Sequence, residues 1–188
     1  MFLRKRTLSK RDSVPVAMAG VRMGERLLQI GIDDPALAGA LAAKVGLSGV
    51  AALVVPTEAD AGRARAAAAD AGVLIDVQVS HWRGLPFPGE AFDLVVVQST
   101  RGLLASMSAG DRVGMLQQAR RALRQGGRIL VVESTPRGGL GGLLQRRGVD
   151  EYYANGGGAE GALKAEGFHR VRSLGDHDGY RFTEGFKT

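Results

Sequence analysis

The chain has 188 residues, 45% of them hydrophobic, and it has no cysteine, so disulfide bonds and thiolate metal sites are excluded. Its formal net charge of +6 is concentrated in residues 1–22, which hold six basic side chains and one acid, and this uneven distribution argues against a specific nucleic-acid-binding face. The apolar runs are too short to span a bilayer and no apolar segment follows the N-terminal charges as in a signal peptide, so we expect a cytoplasmic protein.

The basic residues of the first segment predict that residues 1–12 form an arm outside a single domain, which covers residues 13–188. One interpretation of this arm is a mobile, solubilising tail that does not pack in the core. Because Met1, Phe2 and Leu3 adjoin the basic cluster, weak contact with an anionic membrane surface is a second interpretation. The sequence leaves the oligomeric state open.

Buried apolar runs alternate with helical patterns along the rest of the chain. The predicted strands are Leu27–Gly31, Val50–Val55, Leu74–Val79, Phe92–Gln98, Arg128–Glu133, His169–Leu174 and Tyr180–Phe186. The predicted helices are Pro35–Val45, Glu58–Ala71, Asp111–Arg124 and Ala159–Glu166. This alternation predicts a parallel sheet with helices on both faces, and the short connection "DHDG" before the last strand predicts an antiparallel hairpin.

Three stretches of the sequence resemble the class I S-adenosylmethionine-dependent methyltransferases, in particular the quinone-biosynthesis type. They are "GERLLQIG" at 24–31, "LPFPGEAFDLVVV" at 85–97 and "ARRALRQGGRILVVE" at 119–133. The resemblance implies a three-layer, Rossmann-like α/β fold with a seven-stranded, mostly parallel sheet and a C-terminal antiparallel hairpin. It also implies S-adenosylmethionine as the cofactor and methyl transfer to a small molecule, with a lipophilic molecule among the candidates.

The same resemblance places a cofactor site at the carboxyl ends of the first, second, third and fourth strands. The residues at these positions are Gly31, Ile32, Asp33, Val55, Pro56, Thr57, His81, Trp82 and Gln98. The cofactor is expected over Gly31, between the ends of the first two strands, with its adenine near His81 and Trp82. A neutral histidine can accept a hydrogen bond and a tryptophan can stack, although a half-buried core position is the alternative for Trp82.

Five positions of this site differ from the family's usual pattern: Gln29, Asp33, Pro35, Val55 and His81. Val55 stands where an acid would accept hydrogen bonds from the ribose hydroxyls, and leaving a buried hydroxyl unpaired costs about 1–3 kcal/mol. The sequence therefore predicts that cofactor binding is weakened or lost. Val55→Asp is expected to recover part of the affinity, provided that this strand end faces the pocket.

Several of these positions also have a purely structural interpretation. Asp34 and Pro35 are typical of the N-cap and the first residue of a helix, and Glu58, which could reach back toward the ribose, is typical of a first helical turn. "QSTRG" at 98–102 either orients a substrate or satisfies the loop backbone. The glycine-rich stretch 135–158 is either a mobile lid over the substrate or a surface connection.

The sequence contains no recognisable catalytic triad or pair of carboxylates, and His169 and His177 are too isolated for a metal site. Two functions remain. The first is an S-adenosylmethionine-dependent methyltransferase with a divergent cofactor pocket, which the family resemblance favours. The second is a methyltransferase-fold protein that has lost catalysis and serves as a binding or partner subunit, which the substitutions in the pocket favour.

Overall fold

The computed structural model describes residues 13–135 and 150–188. Its strands are β1 (Arg26–Ile30), β2 (Val50–Val55), β3 (Asp76–Val79), β4 (Phe92–Ser99), β5 (Leu123–Ser134), β6 (His169–His177) and β7 (Tyr180–Phe186). Its helices are α1 (Val14–Ala19), α2 (Pro35–Val45), α3 (Glu58–Ala71), α4 (Leu103–Ser106), α5 (Ala109–Ala122), α6 (Glu151–Asn155) and α7 (Gly158–Ala165). The predicted alternation of strands and helices is confirmed.

All seven strands form one sheet in the order β3-β2-β1-β4-β5-β7-β6. Strands β1 to β5 are parallel to one another, whereas β7 runs antiparallel to both β5 and β6. The predicted hairpin is present, since residues of 169–174 pair with residues of 180–186, for example Ser173 with Thr183. The predicted seven-stranded, mostly parallel sheet is therefore confirmed.

The two faces of the sheet carry separate apolar cores. From the central strand β4, Leu94 and Val96 pack on the face covered by α1 and α2, while Val95 and Val97 pack on the face covered by α4, α5 and α7. Both faces of β4 are thus out of water, which explains why its sequence is a continuous apolar run and not an alternating one. The rigid centre of the sheet fixes where the carboxyl ends of β1 and β4 lie.

The carboxyl end of α5 differs from the prediction. Helical spacing predicts a helix through Arg124, but the helix ends at Ala122, and Leu123 begins β5 beside Phe92. Leu123 is fully buried, so packing against the neighbouring strand overrides the local helical pattern. A register shift in β5 follows, and regular parallel pairing with β4 continues from Arg128.

The sequence did not indicate three short helices, α1, α4 and α6. Helix α6 lies inside the stretch 135–158, for which the sequence left a lid or a surface connection open. Residues 136–149 of that stretch and residues 1–12 lie outside the described residues, so the basic arm and its membrane contact stay predictions. Within the described ranges, no helix is long and apolar enough to cross a membrane.

Candidate functional site

The strand order creates a crevice at the carboxyl ends of β1 and β4, where the chain connections leave in opposite directions. Open α/β sheets bind their ligands at such a switch point. Gly31 lies there directly after β1, with φ of +83°, and its N–H donates to the Val54 carbonyl at 3.0 Å. A Cβ at this position would lie 2.8 Å from Cδ2 of Leu103 and 3.2 Å from the Gln98 carbonyl oxygen, so glycine is strongly favoured there.

The turn between β1 and α2 is held by its two aspartates. Asp34 is the N-cap of α2 and accepts hydrogen bonds from the backbone N–H groups of Ala36 and Leu37, with Pro35 at the first helical position. The capping interpretation of these residues is confirmed. The Asp33 carboxylate instead accepts a hydrogen bond from the backbone N–H of Arg101 at 2.7 Å, which joins the turn to the loop after β4.

Two fully buried glutamines continue this connection beneath the crevice. Gln98 Oε1 accepts from the backbone N–H of Asp34 at 3.1 Å, and its Nε2 donates to Gln29 Oε1 at 3.1 Å. Gln29 Nε2 donates in turn to the Ala38 carbonyl at 3.0 Å. Because buried amide groups need partners, both glutamines stabilise the closed arrangement of β1, β4 and α2. Gln29 therefore has a structural role in this chain.

Burial perturbs the Asp33 carboxyl group. The principal effect is desolvation, which raises its pKa above the ordinary value, while the Arg101 backbone N–H and the positive charges of Arg101 and Arg63 act in the opposite direction. The nearby Asp60 adds a further raising effect. The ionised form of Asp33 is therefore held in the turn at an electrostatic cost.

Val55, the last residue of β2, has no side-chain acceptor for ribose hydroxyls. Val55 is fully buried and packs on the α2 and α3 side of the sheet, in a cluster with Ile32 and Ala61. Pro56 and Thr57 are exposed, but the Thr57 hydroxyl caps α3 by accepting from the Asp60 N–H at 3.1 Å. The condition for a gain of affinity in Val55→Asp, a strand end that faces the pocket, is therefore not met by this side chain.

Glu58 has the structural role that the sequence offered as one alternative. It stands in the first turn of α3, and its exposed carboxylate lies 3.4 Å from the Arg65 guanidinium. Exposed pairs of this kind contribute little to stability.

The loop after β3 brings His81 and Trp82 to the same edge of the sheet. His81 is exposed, whereas Trp82 is partly buried and packs against the core under α4 and α5. The loop is tightened by the Ser80 hydroxyl, which donates to the Gly84 carbonyl at 2.7 Å. An aromatic surface and an exposed imidazole are thus available there, and their contact with adenine stays a prediction.

The end of β4 satisfies the backbone of the loop that follows it, which is one of the two interpretations of "QSTRG". Ser99 is buried and its hydroxyl accepts from the Leu104 N–H at 3.0 Å. Beside this loop and the Asp33 turn lies a cavity of about 500 Å³. Its polar lining includes Asp33, Asp34, Thr100, Arg101, Ser134 and Thr135.

A buried network that sequence reasoning missed anchors α6 to the sheet. The Tyr153 hydroxyl donates to Glu133 Oε1 at 2.8 Å, and the Arg112 guanidinium stacks on the Tyr153 ring while pairing with Asp150 at 2.6 Å. Burial raises the pKa of both Glu133 and Tyr153. Since the partners are 20 to 41 positions apart in the chain, no short motif marks this network.

The described part of the chain contains no group of three or more histidine, aspartate or glutamate side chains that could hold a metal ion. His169 and His177 are the first and last residues of the nine-residue strand β6.

A family model described as "Methyltransferase domain" matches residues 28–127, the region that runs from β1 into β5. The chain belongs to the class I S-adenosylmethionine-dependent methyltransferase family. The match contains every residue of the candidate site between Gly31 and Gln98, and the family assignment that the sequence resemblance implied is confirmed.

Relatives in sequence carry the name ubiquinone/menaquinone biosynthesis C-methyltransferase UbiE. The protein from Ralstonia pickettii is 33% identical over 118 residues, which are 63% of this chain and 46% of that protein. The protein from Bordetella parapertussis is 34% identical over 118 residues, or 63% of this chain and 44% of that protein. The match therefore spans less than half the length of these relatives.

Solved structures show the same fold. A SAM-dependent methyltransferase from Aquifex aeolicus has a TM-score of 0.71 and 15% identity, covering 93% of this chain and 88% of that chain. A protein described as the [4+2]-cyclase SpnF has a TM-score of 0.65 and 17% identity, covering 95% and 81%. The fold is thus shared by this methyltransferase and by a protein described as a cyclase, so the fold alone does not define the reaction.

S-adenosylmethionine is the cofactor of the family, and the residues of this chain fit it in part. Gly31 has the positive φ that lets the backbone of a turn approach a ligand, and His81 and Trp82 supply polar and aromatic groups two strands away. Val55 supplies no acceptor and is buried, and Leu103 and Asp33 close the crevice beside Gly31. The turn at Gly31 therefore suits the cofactor, whereas the buried Val55 does not suit its ribose.

Proposed function

We propose that the chain is an S-adenosylmethionine-dependent methyltransferase of small molecules with a divergent cofactor pocket. The observation that carries this proposal is Gly31 in a positive-φ turn at the switch point of the family's sheet. The cofactor would lie over Gly31 and the buried Ile32 and Gln98, with its ribose between the ends of β1 and β2 and its carboxylate beside Asp33 at the ends of β1 and β4. His81 and Trp82 would hold the adenine.

Weak cofactor binding is part of the proposal. A charge-assisted hydrogen bond to the ribose contributes about 1.5–3 kcal/mol, and Val55 cannot accept one. Its loss reduces affinity by about ten- to a hundredfold. Pro56 and Thr57 do not compensate, because proline has no side-chain acceptor and the Thr57 hydroxyl already caps α3.

The polar cavity of about 500 Å³ beside the Asp33 turn supports a small-molecule acceptor. Its carboxylates, hydroxyl groups and guanidinium favour an acceptor with polar groups over a purely lipophilic one. When bound, S-adenosylmethionine supplies a methyl group activated on a sulfonium, so the protein contributes chiefly by positioning the acceptor. This requirement agrees with a cavity lined by orienting groups such as Thr100 and Arg101.

The alternative is a methyltransferase-fold subunit that has lost catalysis and binds a partner. The buried Val55 and the hydrogen bond between Asp33 and the Arg101 N–H favour it, since both work against cofactor binding. The cytoplasmic setting expected from the sequence is a further part of either proposal and stays a prediction.

Calorimetric titration of the full chain with S-adenosylmethionine and S-adenosylhomocysteine separates the two functions. We expect saturable binding with a Kd on the order of 10–100 µM or weaker. His81→Ala should weaken binding further, whereas the control Gly62→Ala on the exposed surface of α3 should not change it. No binding of either compound would support the non-catalytic subunit, and a Kd below about 1 µM would show that the substitutions do not weaken the pocket.

A further inference from the structure

The crevice at the ends of β1 and β4 is bridged by the protein's own groups. Asp33 Oδ2 accepts from the Arg101 backbone N–H at 2.7 Å, and Gln98 Oε1 accepts from the Asp34 backbone N–H at 3.1 Å. The end of the Leu103 side chain lies on the side of Gly31 where a Cβ would point. A ligand that enters this crevice must therefore replace or displace protein contacts.

The Asp33 carboxylate binds the Arg101 N–H as the carboxylate of a ligand would, and it does not cap a helix. Helix α2 already has its N-cap in Asp34, so the Asp33 carboxylate is not needed to satisfy the first turn of that helix. Among the described residues, the Arg101 N–H is the one hydrogen-bond donor to Asp33. That N–H stands at the carboxyl end of the sheet, where it would otherwise be free to bind an oxygen of a ligand.

The cost of holding the carboxylate there is visible in its surroundings. Asp33 is partly buried, and desolvation raises its pKa despite the nearby charges of Arg101 and Arg63. No ion pair within 4.0 Å joins it to a basic side chain in residues 13–135 and 150–188. A partly desolvated carboxylate bound by one N–H can be exchanged for the carboxylate of a ligand at little net electrostatic cost.

We propose that Asp33 is an autoinhibitory latch, whose carboxylate occupies the Arg101 N–H and closes the crevice until a carboxylate-bearing ligand replaces it. S-adenosylmethionine and S-adenosylhomocysteine both carry such a group, and the inference rests on the proposed cofactor site for their use as ligands. Asp33 is thus a determinant of affinity that acts against the cofactor. This role differs from a direct contact with the cofactor's ammonium group, which would make Asp33 favourable for binding.

The test compares S-adenosylhomocysteine binding by the wild-type chain with that of Asp33→Ala and Asp33→Asn in calorimetric titrations. Removing the internal competitor is expected to tighten binding by about ten- to a hundredfold in Asp33→Ala, with a smaller gain in Asp33→Asn, because an uncharged amide oxygen is a weaker competitor. The matched control is Asp70→Ala, which removes the same charge from an exposed site near the end of α3. Its affinity is expected to equal that of the wild type.

A second readout does not depend on the ligand. Hydrogen exchange of the Arg101 amide in the ligand-free protein should be at least about tenfold faster in Asp33→Ala than in the wild type, because the closed contact protects that amide. Equal or weaker S-adenosylhomocysteine binding by the Asp33 variants, or unchanged Arg101 exchange, would overturn the latch. Absence of binding in the wild type and in both variants would instead overturn the proposed cofactor site, and with it the inhibitory role of Asp33.

Discussion

Replacing Gly31 by alanine tests whether the turn after β1 is closed as tightly as the structure indicates. A non-glycine residue at φ of +83° carries backbone strain of about 1–3 kcal/mol. The new Cβ would also lie 3.2 Å from the Gln98 carbonyl oxygen, which is backbone, and 2.8 Å from the end of the Leu103 side chain. Overpacking of this kind costs about 1–3 kcal/mol.

We therefore expect Gly31→Ala to lower the free energy of unfolding by about 2–6 kcal/mol, measured by urea denaturation followed by circular dichroism. The matched control is Gly62→Ala within α3, where no other atom lies within 4 Å of the added Cβ. There the change should raise the free energy of unfolding by about 0.5–1 kcal/mol, because alanine is the better helix former.

A double variant separates the two causes of the loss. In a Leu103→Ala background the side-chain contact is gone, so the penalty of Gly31→Ala should shrink toward the backbone strain and the contact with the Gln98 carbonyl. A free energy of unfolding for Gly31→Ala within about 0.5 kcal/mol of the wild type would show that the turn is not tightly closed, since surface positions without constraints behave that way.

Two further substitutions test the burial at the strand ends. Val55→Asp should lower the free energy of unfolding by about 3 kcal/mol or more in urea denaturation, because it places a carboxylate in the apolar cluster with Ile32 and Ala61. Unchanged stability together with tighter S-adenosylhomocysteine binding would contradict the buried position of Val55. Glu133→Gln keeps an acceptor for the Tyr153 hydroxyl and removes a carboxyl group whose pKa is raised by burial. Because this pKa is raised, the folded wild type takes up a proton more readily than the unfolded chain and loses stability as the pH rises through the raised pKa. The Tm of Glu133→Gln should therefore exceed the wild-type Tm at pH 8 and approach it below pH 4.5, the ordinary pKa of the group. A difference in Tm that does not change with pH would contradict the raised pKa of Glu133.

The arrangement of the sheet could be predicted because its signals are local. The run at Phe92–Gln98 is apolar without alternation, as expected for a strand buried on both faces. The pair Asp34 and Pro35 marks the start of α2 by the residue types alone. The end of α5 was predicted wrongly, since the burial of Leu123 beside Phe92 is a contact between residues far apart in the chain.

The closing of the candidate site could not be predicted for the same physical reason. The contact between Asp33 and the Arg101 N–H joins residues 68 positions apart, and it depends on the paths of two loops rather than on any periodic pattern. The resemblance located Val55 at the end of β2, but the face to which its side chain points follows from packing against α3. The anchoring of Tyr153 on Glu133 has no sequence signal that periodicity or spacing could reveal.

Backbone hydrogen exchange with and without saturating S-adenosylhomocysteine tests most directly whether a cofactor site lies over Gly31, at the ends of β1, β2 and β4. We expect new protection in residues 31–34 and 80–82, which are distant in sequence and lie at the same edge of the sheet, while the Arg101 amide stays protected because the ligand carboxylate replaces that of Asp33. Protection confined to other parts of the chain, with binding demonstrated by calorimetry, would contradict a site over Gly31.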